Sequence, residues 1–277
     1  MKYKNALNEA CGVLQNADIA DANYDSWLLL EYVTGLTRQQ YYMCMEDEMP
    51  EDSYDKYLDM IKMRAGRIPL QHITHEQSFM GLSFYVNEHV LVPRQDTEIL
   101  VEEALKHIPS GGDVLDVCTG SGCIIISLMH YSEADTGLGT DISFNAIQVA
   151  RRNATSLDSK AEFVESDLFD NIHDRYDVIV SNPPYIASAQ IEHLDPEVKF
   201  HDPILALDGS DDGLIFDRSI VSKAFDYLKP GGYLLFEIGY DQGEAVASLM
   251  KEKGFTDVLV IKDLSGLDRV VKGKYNV

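Results

Sequence analysis

From Asp113 onward, short apolar runs alternate with segments of helical periodicity, and few folds accept that pattern. Asp113 to Val117, Gly137 to Asp141, Ala161 to Ser166 and Tyr176 to Ser181 read as strands of a parallel sheet. Cys123 to His130 and Ser143 to Ser156 read as helices between them. An irregular stretch from Ile186 to Gly213 follows, too long for a mere connection. Then come a helix from Asp217 to Leu228, a turn at Lys229-Pro230-Gly231-Gly232 and a strand from Tyr233 to Ile238. A last helix, Gln242 to Lys253, and closing strands at Val258 to Ile261 and Arg269 to Val271 complete the pattern. The fold class is α/β, a sheet wound with helices, and such sheets bind ligands at the carboxyl ends of their strands.

Residues 1–70 carry a different signal. Trp27, Leu28, Leu30, Tyr32 and Val33 cluster at helical spacing, as do Leu58, Met60, Ile61 and Met63 behind the acidic start Glu51, Asp52 and Asp55. Asp21 is placed to cap the second helix. A small helical domain is expected there, its apolar stripes forming a core of its own, with recognition of a partner by an exposed face as the alternative reading and nothing catalytic in it. Residues 71–95 read as a linker, with a β-hairpin from Phe79 to Val92 turning at Asn87-Glu88. A helix from Asp96 to His107, capped by Asp96 or Thr97, opens the third region, 96–277. His72 and His75 have a spacing that suggests metal, but no cysteine or acidic cluster stands near them, so no metal is expected.

The formal net charge of −23 disfavours a stable DNA or RNA complex, which needs a basic face. Four scattered cysteines without a CxxC pair fit reduced thiols. With no long apolar run and no secretory leader pattern, a cytoplasmic protein with no membrane contact is expected.

Two stretches carry chemistry. Asn182-Pro183-Pro184-Tyr185 follows the strand ending at Ser181. The two prolines stiffen the loop and offer carbonyls without competing donors. Asn182 adds a side-chain acceptor and donor, and Tyr185 a flat ring, so the loop suits a planar NH2-bearing group. Asp116-Val117-Cys118-Thr119-Gly120-Ser121-Gly122 forms the first strand-to-helix turn, where glycines let backbone approach a ligand. Ile125 stands where a dinucleotide fingerprint needs its third small residue, which disfavours NAD. Asp141 ends the second strand, placed to accept from ribose hydroxyls, and Asp167 lies past the third, placed to accept from an adenine amino group. A nucleoside bound without phosphates points to S-adenosyl-L-methionine.

These stretches are joined by Ile68-Pro69-Leu70-Gln71-His72-Ile73, Phe79-Met80-Gly81-Leu82, Leu91-Val92-Pro93-Arg94, Asp202-Pro203, Ala206-Leu207-Asp208-Gly209 and Leu228-Lys229-Pro230-Gly231-Gly232. Together they make the chain resemble, over nearly its whole length, the release-factor glutamine methyltransferases (HemK/PrmC). That resemblance implies a class I, Rossmann-like methyltransferase sheet behind a helical substrate-docking domain. It implies methyl transfer from S-adenosyl-L-methionine to the side-chain amide nitrogen of the glutamine in the Gly-Gly-Gln tip of peptide-chain release factors. It carries cofactor contacts to Cys118, Thr119, Gly120, Ser121, Gly122, Asp141, Asp167, Leu168 and Asn182. Substrate contacts fall to Asn182, Pro183, Pro184 and Tyr185, with Asn182, Pro183 and Tyr185 as the catalytic group. The chain departs from the family where Cys118 replaces a usual glycine and Leu168 a frequent aromatic residue; cofactor binding tolerates Cys118 if its φ is negative. Two rivals remain: an amino-methyltransferase acting on nucleic-acid bases, disfavoured by the charge, and a non-catalytic adaptor, disfavoured by the intact Asn-Pro-Pro-Tyr loop. A monomer without DNA binding is expected.

Overall fold

The structure of the protein is a computed structural model that describes residues 1–276. Contacts divide the chain into two units, one from Met1 to His75 together with Asp195–His201, the other from Glu76 to Leu194 and from Asp202 onward.

The first unit is helical: α1 (Tyr3–Asn16), α2 (Ala22–Thr34), α3 (Arg38–Cys44), α4 (Glu51–Ala65) and α5 (Leu70–Thr74). Ala6, Ala10 and Leu14 recur every four residues along α1 and meet Leu29, Leu30, Tyr57 and Ile61 in one core. Thr37 and Gln40 close a capping box at the start of α3. Asp21 does occupy the cap position of α2, but its side chain makes no capping bond. Buried Arg64 reaches Asp25 at 2.7 Å through Nε and Glu197 at 3.1 Å through Nη1, so the segment 195–201 is held to α2 and α4 by charge.

The second unit opens with a hairpin of β1 (Glu76–Phe79) and β2 (Leu82–Tyr85). It turns at Met80-Gly81 rather than at Asn87-Glu88, because Gly81 (φ +73) supplies the left-handed residue that a two-residue loop requires. The helix expected from Asp96 is shorter: a 3-10 turn at Gln95–Thr97 leads into α6 (Glu98–Leu105), and neither Asp96 nor Thr97 caps it with a side chain. β3 (Asp113–Val117), α7 (Cys123–Tyr131), β4 (Thr136–Asp141), α8 (Phe144–Ser156), β5 (Glu162–Glu165) and β6 (Tyr176–Ser181) follow the alternation in the sequence.

The 186–213 stretch is less irregular than expected. It contains α9 (Ser188–Ile191), α10 (Pro196–His201, part of the first unit) and a 3-10 turn at Ile204–Ala206. α11 (Ile215–Tyr227), β7 (Leu228–Glu237), α12 (Gly243–Lys253), β8 (Thr256–Lys262) and β9 (Asp268–Lys274) complete the unit. Lys229-Pro230-Gly231-Gly232 lies within β7, where the pairing with β6 shifts register, so the expected turn is a bulge in a strand.

Seven strands run in the order β5-β4-β3-β6-β7-β9-β8, parallel from β5 to β7, with β9 antiparallel to both its neighbours. The order of strand addition reverses between β3 and β6, and ligands of such sheets bind at that switch point. Val114, Val178 and Leu235 face α6 and α7, while Leu115, Ile179 and Phe236 face α11 and α12, as the two-residue period of a strand demands. Among the described residues no helix is long and apolar enough to cross a membrane.

Candidate active site

Strand register builds the site. Val117 pairs with Thr140 on one side and Ser181 on the other, and Asp141 pairs with Glu165. Cys118, Asp141, Asp167 and Asn182, at or just past those pairs, therefore come together at the carboxyl edge although 64 positions separate the first from the last. One cleft is lined by Cys118, Thr119, Gly120, Ser121, Asp141, Asp167, Leu168, Asn182 and Pro184, with Arg94, Thr97, Ala146, Pro203 and Leu205 around them. Gly122 is not in the lining; it caps α7 from behind at φ +79. Pro183 and Tyr185 are not in the lining either.

Asp141 is the polar floor of the cleft. Its Oδ2 accepts the Gly120 N–H at 2.9 Å and its Oδ1 the Ser143 N–H at 2.9 Å. Each carboxylate oxygen retains acceptor capacity for a further hydroxyl. Burial pushes its pKa up, against the pull of those N–H donors. Gly120 (φ +54) faces open space: a Cβ there would meet no protein atom within 4 Å. Asp167 is exposed at the mouth, and Leu168 (φ +50) is half-buried against the core.

Cys118 has φ +63, the left-handed region, contrary to the negative value on which its easy accommodation was conditioned. A Cβ there costs on the order of 1 kcal/mol relative to glycine. Burial drives the thiol pKa far up, assisted by Asp141 and Asp116, so the sulfur is no thiolate nucleophile.

Asn182 is half-buried, and its Nδ2 donates to Thr97 Oγ1 at 3.4 Å. Among the described residues no donor reaches Asn182 Oδ1 or the Pro183 carbonyl. The Tyr185 hydroxyl turns away from the cleft and donates to Glu237 Oε1 at 3.5 Å. The loop is braced from behind. Gln242 Nε2 donates to the carbonyls of Tyr185 (2.9 Å) and Gly213 (3.2 Å), and Ile186 exchanges bonds with Leu207 and Gly209. Gly213 (φ +74) presses so closely on the Tyr185 carbonyl that no Cβ fits. At the rim Arg94 donates to buried Asp202 at 2.8 Å, whose pKa burial raises to about 6.

Two sequence profiles match the chain: the PrmC N-terminal domain over residues 5–74 and the methyltransferase small domain over 94–195. A release factor glutamine methyltransferase of Geobacter sulfurreducens is 39% identical over 98% of this chain and 96% of its own. One of Clostridium acetobutylicum is 40% identical over 98% of each chain. The chain belongs to the release factor glutamine methyltransferase family. A methyltransferase of Pyrococcus furiosus, 17% identical, superposes with a TM-score of 0.58 over 78% of this chain and 100% of its own, which places the sheet in the methyltransferase fold.

Some residues of this family member's site were invisible in its sequence. Thr97 read as a helix cap and Glu237 as part of a strand, yet Thr97 lines the cleft against Asn182 and Glu237 holds the Tyr185 hydroxyl. Gln242 read only as a helix start. A charged residue ending an otherwise apolar strand, as Glu237 does in Leu-Leu-Phe-Glu, is the signal that could have marked it. His72 and His75 form no metal cluster: among the described residues no group of three or more ligand-type side chains is placed to hold an ion.

Asp217 of α11, fully buried next to Phe216 of the cleft wall, has no hydrogen-bond partner for either carboxyl oxygen among the described residues. Burial raises its pKa to about 7 from an ordinary 3.8. Between those two values the unfolded chain has released the proton and the folded chain retains it, so stability is fully present below about pH 4 and falls toward pH 7. Asp217→Asn is expected to add about 2–4 kcal/mol at pH 8 and raise Tm by roughly 5–10 °C, with little gain at pH 4.5. Differential scanning calorimetry at the two pH values checks this.

Proposed function

We propose that the protein transfers a methyl group from S-adenosyl-L-methionine to the side-chain amide nitrogen of the glutamine in the Gly-Gly-Gln tip of peptide-chain release factors, and thereby modulates translation termination. Two free acceptors, Asn182 Oδ1 and the Pro183 carbonyl, stand on a stiff loop beside a cleft floored by a carboxylate, and this pairing carries the reading.

The cleft fits the cofactor. The open face of Gly120 is a cradle that a Cβ would fill, and Asp141 keeps acceptor capacity for two hydroxyls. Leu168, Ala146 and Pro184 give apolar walls, and Asp167 an acceptor at the mouth. Cys118 through Ser121, Asp141, Asp167, Leu168 and Asn182 are assigned to hold it; Gly122 shapes the turn. Bound there, S-adenosyl-L-methionine supplies an electrophilic methyl on a sulfonium, and its transfer to nitrogen leaves S-adenosyl-L-homocysteine.

The chain's own residues do the positioning. An amide nitrogen is a poor nucleophile because its lone pair is shared with the carbonyl, so orientation and electrostatics do most of the catalysis. Asn182 Oδ1 and the Pro183 carbonyl accept the two N–H bonds of the substrate amide, aim its nitrogen into the cleft and stabilise the positive charge that develops there. The proton then leaves to water. The Tyr185 ring is assigned to pack on the planar amide, while its hydroxyl anchors the loop through Glu237.

The helical unit of residues 1–75 is assigned to docking of the release factor, and the enzyme works as a cytoplasmic monomer on protein rather than DNA. The test is transfer of labelled methyl to a purified release factor, with a variant of its Gly-Gly-Gln glutamine as control. Labelling lost with that glutamine is the expected result; labelling of RNA or DNA instead, or of neither, overturns the reading.

A further inference from the structure

Against Asn182 lies a buried polar chain whose effect on the Asn182 amide none of the steps above uses. Glu237 ends β7 and is 2% exposed; Thr97, at the start of α6, is also 2% exposed. The Thr97 hydroxyl lies close enough to the Glu237 carboxylate to favour its ionised form, the Tyr185 hydroxyl donates to Glu237 Oε1 at 3.5 Å, and Oε2 has no hydrogen-bond partner among the described residues. Thr97 Oγ1 in turn receives the Asn182 Nδ2–H at 3.4 Å.

Proton counting gives this chain a direction. An ionised carboxylate only accepts, so the single Thr97 hydroxyl proton points at Glu237. Thr97 can then offer Asn182 nothing but a lone pair, which selects the amide's NH2 side. The Asn182 carbonyl oxygen is left facing the cleft, and a substrate amide needs an acceptor there. A protonated Glu237 donates to the Thr97 oxygen instead, which frees the Thr97 hydroxyl to donate to Asn182, and the preferred rotamer then turns the NH2 into the cleft, donor against donor. Asn has no shape preference between the two rotamers; only the partner behind it chooses.

We propose that Thr97 and Glu237 are positioning residues that fix the rotamer of Asn182 so that its carbonyl oxygen faces the substrate amide. This rests on the glutamine reading of the site and deepens it.

The surroundings of Glu237 support a titration in the working range. Burial raises its pKa to about 7; Thr97, Arg269 and Tyr185 oppose the rise and Asp96 adds to it. Arg269, itself paired with Asp96 at 3.2 Å and Asp263 at 3.0 Å, is the cation that faces the group, and Cys123, also in its field, is a neutral thiol held near 12 by burial. Protonating Glu237 disorganises the acceptor, so turnover rises with pH through about 7.

The experiment uses the full chain with saturating S-adenosyl-L-methionine and a release factor. Thr97→Val, which keeps shape and removes the hydroxyl, is expected to lower kcat about 30- to 100-fold while affinity for S-adenosyl-L-homocysteine stays within threefold, which also reports an intact fold. Thr97→Ser is expected to restore most of the loss. Wild-type kcat is expected to fall about tenfold from pH 8 to pH 6 and that of Glu237→Gln to stay flat. Independently of turnover, the Asn182 side-chain NH2 resonances, followed by 1H–15N NMR and identified by their loss in Asn182→Asp, are expected to shift with a midpoint near pH 7 in the wild type and to lose that midpoint in Glu237→Gln. Turnover by Thr97→Val within twofold of wild type, or Asn182 resonances indifferent to pH and to Glu237→Gln, overturns the proposal. A wild type that leaves the release factor unmethylated sinks the glutamine reading instead, and the NMR arm still decides the rotamer.

Discussion

Asn182→Ala is expected to lower kcat for methyl transfer by about 10³-fold while the affinity for S-adenosyl-L-homocysteine falls no more than about threefold. The asymmetry follows from where the side chain stands. Asn182 lines the cleft, whereas the floor assigned to the nucleoside is Asp141 and the Gly120 turn. Removing Oδ1 takes away one of the two acceptors proposed for the substrate's N–H groups, at the point where positive charge would grow on nitrogen, and leaves the Pro183 carbonyl alone to orient it. Structural loss is small because the loop is held by Gln242 and by the bonds of Ile186, not by the Asn182 side chain. Single-turnover measurements on the loaded enzyme separate the chemical step from binding. Methylation within tenfold of wild type would remove Asn182 from the catalytic role.

Asp141→Asn tests the other half of the site. An asparagine has nearly the same shape, but it replaces one acceptor oxygen with an NH2 that must face the N–H of Gly120 or of Ser143, each 2.9 Å from the native carboxylate. It also loses the charge that strengthens bonds to hydroxyls. Both effects act on binding, and together they are worth about 2–3 kcal/mol, an increase in Kd for S-adenosyl-L-homocysteine of roughly 30- to 100-fold. Turnover at saturating cofactor is expected to stay within a few-fold of wild type. Isothermal titration calorimetry decides it, and a Kd within threefold of wild type would show that the carboxylate holds the turn rather than the ligand.

What could be read from the chain alone depended on how local the responsible physics is. The parallel strands β3 and β6 announced themselves through the apolar runs that strands buried on both faces favour, Val-Leu in one and Val-Ile-Val in the other, whereas β4, Thr-Gly-Leu-Gly-Thr-Asp, was legible only from its place in the alternation. The hairpin was misplaced because two candidate turns lay a few residues apart, and the left-handed freedom of Gly81 outweighed the polarity of Asn87-Glu88. Thr97 looked like a helix cap on local grounds, since threonine at a helix start bonds the first turn in most settings. Here its hydroxyl serves Asn182 and Glu237, and the first turn of α6 goes without it.

Sequence by itself determined the sheet, the Asn-Pro-Pro-Tyr loop, the glycine turn and the two acids beside it, because each is a contiguous stretch whose residue types dictate its backbone. Tertiary structure alone decided the left-handed φ of Cys118, the passage of Asp195–His201 into the helical unit, and the turning of Tyr185 toward Glu237. It also decided which end of the Asn182 amide faces the cleft. That choice belongs to Thr97 and Glu237, 85 positions before Asn182 and 55 after it. Only the packing of α6 against β6 and β7 brings those three side chains together, and long-range packing leaves no periodic mark in a chain.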